Sequence, residues 1–81
     1  SLHDALPIYN LNMRYNFACA LAVHLKDRDA ALEMLAPVLA RSAAVQVHHT
    51  KIDPDLDSLR DDPRFIAMME EAEARVAKEK T

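Results

Sequence analysis

Residues 17–23 read FACALAV, seven positions in a row without a polar side chain, and this run limits the possible folds more than any other feature. It lies inside NMRYNFACALAVHL, a window with no Pro or Gly to break a helix. A surface helix carries one apolar stripe, so a helix that is apolar almost all round has to be covered on more than one side. Ala18, Cys19, Ala20 and Ala22 allow close approach of neighbouring backbones, and Tyr15, Phe17, Leu21 and Leu25 are expected to fill the gaps between helices. Asn12 is the expected N-cap.

A polar break, KDRD, follows, where Asp27 or Asp29 can cap a second helix through AALEMLAPVLARS. Ala31, Leu32, Leu35, Val38 and Leu39 keep one face of that helix apolar. Pro37 interrupts it. Proline has no N–H to give the carbonyl four residues back, here Glu33, which predicts a kink or an early end. The stretch AAVQVHHTKI is a weaker helix, shortened by β-branched residues. Two Asp-Pro pairs, Asp53-Pro54 and Asp62-Pro63, then punctuate a short helical turn and a longer final helix. In each pair the Asp can cap while Pro occupies the first turn, where its missing donor costs nothing. The last helix places Phe65, Met68 or Met69, Ala72 and Val76 on one stripe, and a Glu71–Arg75 pair is expected on its surface.

Composition agrees with an all-α chain: 51% of residues are hydrophobic, and Gly and Trp are absent. A net charge of −3 with scattered Lys and Arg excludes a nucleic-acid footprint, which needs basic residues clustered on one face. No run approaches the ~18 apolar residues of a membrane span. A lone Cys19 forms no internal disulfide and fits a reducing, cytoplasmic setting. Residues 1–8, SLHDALPI, lack an initiator Met and reverse-translate to the end of a common sequencing-adapter oligonucleotide. They are expected to be a non-native leader. The rest divides into a helix-turn-helix over 9–45, C-terminal capping helices over 46–78 and a charged tail over 79–81.

The hairpin resembles a tetratricopeptide repeat of about 34 residues. With the repeat starting near Asn12, Tyr15 stands at the large aromatic position, Cys19 at the small one and Ala31 at the second-helix alanine. Leu35 and Val38 take the packing positions of that helix, whereas Ala22 and Ala43 stand where the family usually has Tyr and Pro. RYNFACALA together with DPDLDSLRDDPRF is similar to the C-terminal ends of bacterial tetratricopeptide arrays, including those attached to class III adenylate/guanylate cyclases. The resemblance implies an all-α fold, a hairpin followed by a short helix and a capping C-terminal helix. It also implies a cytoplasmic signalling protein with its catalytic domain elsewhere.

In such arrays the first helices line a concave surface, which makes Arg14, Asn16, Ala20 and His24 candidate groove residues. The expected partner is a protein, or the array's own preceding repeats, with self-association as the other route to covering the first helix. No enzyme motif is present. A Gly-free chain has no phosphate loop, and no Ser, His and acid fall into a nucleophilic pattern. No cofactor is expected. Asp53, Asp55 and Asp57 alternate like a calcium loop, but Ser58 stands where the sharp-turn Gly belongs and Arg64 where the bidentate Glu belongs. Asp53 and Asp62 therefore read as helix caps. His48 and His49 point ~100° apart on a helix and Cys19 lies on another helix, so no metal site is expected and Cys19 reads as a packed thiol.

Overall fold

The computed structural model describes residues 10–79, all helix and short connections. The proposed leader, residues 1–8, and the end of the charged tail lie outside the described residues. Helix α1 spans Leu11–Ala20 and continues as a π turn over Leu21–Leu25. Helices α2, Arg28–Arg41, and α3, Ala44–Ile52, follow; a 3-10 turn over Pro54–Leu59 then leads into α4, Pro63–Glu79. The α1–α2 hairpin packs onto α4 through α2, α3 also lies on α4, and the π and 3-10 turns meet. No described helix is long and apolar enough to cross a membrane.

Asn10, two residues before the expected cap, starts α1: its Oδ1 accepts from the Met13 amide at 3.0 Å. Asn12 falls inside the helix because that bond fixes the cap two residues earlier. At the other end Lys26 adopts φ 52° and ψ 36°, the left-handed conformation usually left to Gly, which turns the Asp27 amide back onto the Leu21 carbonyl at 3.0 Å. Asp27 Oδ1 caps α2 by accepting from the Ala30 amide at 3.1 Å.

Leu35, Val38, Leu39, Leu56 and Leu59 form the centre of the core, with Phe65, Met69 and Ala72 of α4 closing it. Pro37 does not end α2, which runs on to Arg41. The reason comes from another helix. The Arg14 side chain crosses from α1 and donates from Nη2 to the Glu33 carbonyl at 3.0 Å and from Nε to Met34 O at 3.2 Å. Glu33 is the carbonyl that Pro37 deprives of its helical donor, so a charged donor replaces the missing N–H. Arg14 is consequently buried and is not a groove residue, contrary to the sequence expectation.

Arg75 does the same for the end of α2. Its Nη2 donates to Leu39 O at 2.9 Å and Ser42 O at 2.6 Å, two carbonyls near the helix C-terminus where no helical donor follows. Its Nη1 pairs with Glu79 at 3.0 Å instead of with Glu71, because the guanidinium is already committed to α2.

The first helix is covered on fewer sides than its composition demands. Ala18 and Ala22 are buried and Tyr15 is enclosed, but Phe17 is 55% exposed and Leu25 71%. Those two were expected to fill gaps between helices; no described element lies over them.

Candidate functional site

Tyr15 and Cys19 stand four residues apart on α1 and so share a face. That face meets the junction of α3 with the 3-10 turn, where Asp53 sits. The Asp53 Oδ1 accepts from the Asp55 amide at 2.9 Å, the capping role expected from the Asp-Pro pair. Its Oδ2 faces three donors. Tyr15 donates its hydroxyl to that oxygen in a short hydrogen bond, the Cys19 thiol approaches it at 3.9 Å, and His49 Nε2 lies 3.3 Å away. His49 comes from one turn earlier on α3, and its ring tilts against Tyr15 with centroids 5.6 Å apart. Arg60 Nη2 donates to the Asp53 carbonyl at 2.7 Å and holds the turn in place.

Burial, and then the hydrogen bond to Asp53, push the Tyr15 hydroxyl far above its ordinary pKa. Burial, followed by the Asp53 charge, lifts the Cys19 thiol to about 11, which favours its protonated form. Burial also works against the Asp53 carboxylate. Hydrogen bonds from Tyr15 and the Asp55 amide outweigh it, aided by His49 and Arg60, and hold the carboxyl below its usual range.

A cavity of about 470 Å³ opens over this cluster. Asn16, Ala20 and His24, three of the four groove candidates, form part of its wall together with Val23. His48 lines a separate depression between α3 and α4, as the angular separation of the two histidines predicts. The fold does bring Cys19 and His49 to one place, with Asp53 and Asp55 beside them. Sequence spacing alone gave no reason to join them. Asp57, the third member of the calcium-like alternation, is taken by Arg60 Nε at 2.9 Å.

Asp62 caps the entry to α4. Its Oδ1 accepts from the Arg64 amide at 2.9 Å, and its Oδ2 meets Arg64 Nη2 at 2.9 Å. Arg64 also reaches Asp29 at 2.9 Å, tying the start of α4 to the start of α2. The Arg64 hydrogen bonds hold the Asp62 carboxyl below its ordinary pKa.

On a different face of α1, Met13, Phe17 and Ala20 form an apolar shallow basin rimmed by Asn10, Asn12 and Asn16. Comparison with family models, with characterised proteins and with solved structures gives no match for this chain.

Proposed function

We propose that this chain is a non-catalytic helical-repeat segment, similar to the end of a tetratricopeptide array, that works by protein–protein contact through its first helix. The observation that carries the reading is the exposure of Phe17 and Met13, at 55% and 44%, on the first helix. An apolar centre with an Asn rim has the make-up of a contact surface. The occupant is the hairpin of a preceding repeat, since stacked repeats cover each first helix with the unit before it. At the opposite end α4 presents Glu70, Glu71 and Glu73 to water, as a terminal repeat must. The setting implied by the resemblance is a bacterial cytoplasmic signalling protein such as a nucleotide cyclase, with this segment scaffolding or regulating the catalytic domain.

Equilibrium denaturation and sedimentation of the chain alone, and of the chain joined to the natural coding sequence upstream of Tyr9, test the reading. Covering a few hundred Å² of apolar surface at about 25 cal/mol per Å² stabilises by several kcal/mol. The chain alone is expected to be marginal or self-associated, and the extended chain monomeric and several kcal/mol more stable. A lone chain that is monomeric and equally stable identifies a self-sufficient helical domain and overturns the proposal.

A further inference from the structure

Cys19, His49, Asp53 and Asp55 come from α1, α3 and the 3-10 turn, and they bring a thiol, an imidazole and two carboxylates to one solvent-open cavity. One ligand atom each from Cys19, Asp53 and Asp55 lie within 4.8 Å of one another, and His49 Nε2 is 3.3 Å from Asp53 Oδ2. We propose that this cluster is a binding site for a zinc-class divalent cation, with Cys19, Asp53 and Asp55 as ligands and His49 as the fourth donor.

The donor set selects the metal. Zinc takes sulfur, nitrogen and carboxylate oxygen together in four-coordinate sites, whereas calcium takes six to eight oxygens and rejects a thiol. Bonds of ~2.0–2.3 Å in a tetrahedral site place neighbouring ligand atoms ~3.3–3.8 Å apart. The Asp53–His49 separation of 3.3 Å falls at the short end of that range, and the Asp53–Cys19 separation of 3.9 Å lies just beyond its long end. Closing the ligands on one ion requires side-chain rotation, since the Cys19, Asp53 and Asp55 atoms are brought only within 4.8 Å of one another and His49 approaches the cluster through Asp53. Asp55 is exposed, His49 is exposed but already set toward Asp53 and the Tyr15 ring, and Asp53 is held by its backbone capping bond.

The surroundings suit a cation as well. Two carboxylates face the cavity, and the nearby Arg60 is directed at the Asp53 carbonyl and at Asp57. On binding, the Cys19 sulfur exchanges its proton for the metal and the proton goes to solvent. The Tyr15 hydroxyl, already donating to Asp53 Oδ2, becomes the outer partner that orients a ligating carboxylate. His24 lines the same cavity and stands ready as a further imidazole.

Cobalt(II) titration of the whole chain is the test, because a thiolate ligand gives cobalt a sulfur charge-transfer band in the near ultraviolet and a four-coordinate site gives intense visible bands. Both are expected to saturate at one ion per chain, to be displaced by zinc and to be unaffected by excess calcium. Cys19→Ser removes the near-ultraviolet band. Asp55→Asn, a change at an exposed residue, weakens binding at least tenfold while leaving the helical circular dichroism intact. Tyr15→Phe weakens it by ~10-fold or more, the size of effect that outer-shell partners have. Absence of the charge-transfer band in folded wild-type protein overturns the proposal, and so does a band that survives Cys19→Ser or a cobalt affinity unchanged by Asp55→Asn.

Discussion

Where α2 meets α4, Leu35, Val38, Leu39, Phe65 and Met69 share one buried core, and even the awkward backbone carbonyls around α2 have donors. Along α1, by contrast, Met13 and Phe17 stand in solvent, with Val23 and Leu25 of the π turn beyond them. Both regions carry a run of apolar side chains. They differ in what has been brought to cover them. An orphaned carbonyl in the packed half draws an arginine from another helix, Arg14 to Glu33 and Arg75 to Leu39 and Ser42. On α1 the backbone is satisfied within the helix, and what lacks a partner is the side-chain surface. These carbonyl deficits are met inside the chain because an unpaired buried acceptor destabilises folding itself, whereas an apolar face can wait for a second body.

The packed half should be sensitive to single atoms. Leu35 is completely buried, and Leu35→Ala is expected to lower the denaturation free energy by ~2–5 kcal/mol, through lost transfer energy and the cavity left behind. A loss well under that range would mean the core is looser than its burial implies.

Arg14 sharpens the comparison at one carbonyl. Arg14→Met should cost ~1–3 kcal/mol by leaving the Glu33 oxygen without a donor and removing the second one from Met34 O. Pro37→Ala restores the helical N–H to Glu33, so the same Arg14 substitution should cost less in that background. A double-mutant cycle by urea denaturation measures the coupling, expected at ~0.5–3 kcal/mol. Strict additivity would show that Arg14 and Pro37 do not share the Glu33 carbonyl in solution.

A smaller effect is expected at the α2–α4 entry. The Asp62 pKa is depressed in the folded chain, so its contribution is present above the ordinary Asp value of about 3.9 and is lost as pH falls through the lower folded value. Denaturation midpoints followed into acid should fall over that window in the wild type and fall less in Asp62→Asn. Parallel acid limbs would remove Asp62 from the account.

Much of this architecture is legible from spacing alone. Phe65, Met69 and Ala72 repeat at helical intervals, and Asp27 and Asp53 cap amides two or three residues away, which is a local signal. Asn10 and Asn12 are equally good caps by residue type, and the choice between them depends on where the chain first turns. Glu71 and Glu79 are each four residues from Arg75; the carbonyls of α2 decide between them. The contacts that build the site span longer gaps. Tyr15 and Asp53 are 38 residues apart, and Arg14 and Glu33 are 19 apart. Arg14 reads as a surface residue in the sequence because the deficit it meets is created by Pro37 on another helix. The same reach brings Cys19 to Asp53, where periodicity gives only a packed thiol in an apolar run.

The contrast between a finished half and an uncovered one is tested most directly by Phe17→Ala, measured by equilibrium denaturation in two contexts. In the chain alone, at concentrations where it is monomeric, the side chain is 55% exposed and the substitution should change stability by no more than ~0.5 kcal/mol. In the chain extended by the upstream coding sequence, which the proposed repeat reading takes to be a further hairpin, the same substitution should cost ~3–5 kcal/mol, as for a buried phenylalanine. Equal cost in both contexts would contradict the account, because it would mean that no neighbouring repeat covers the first helix.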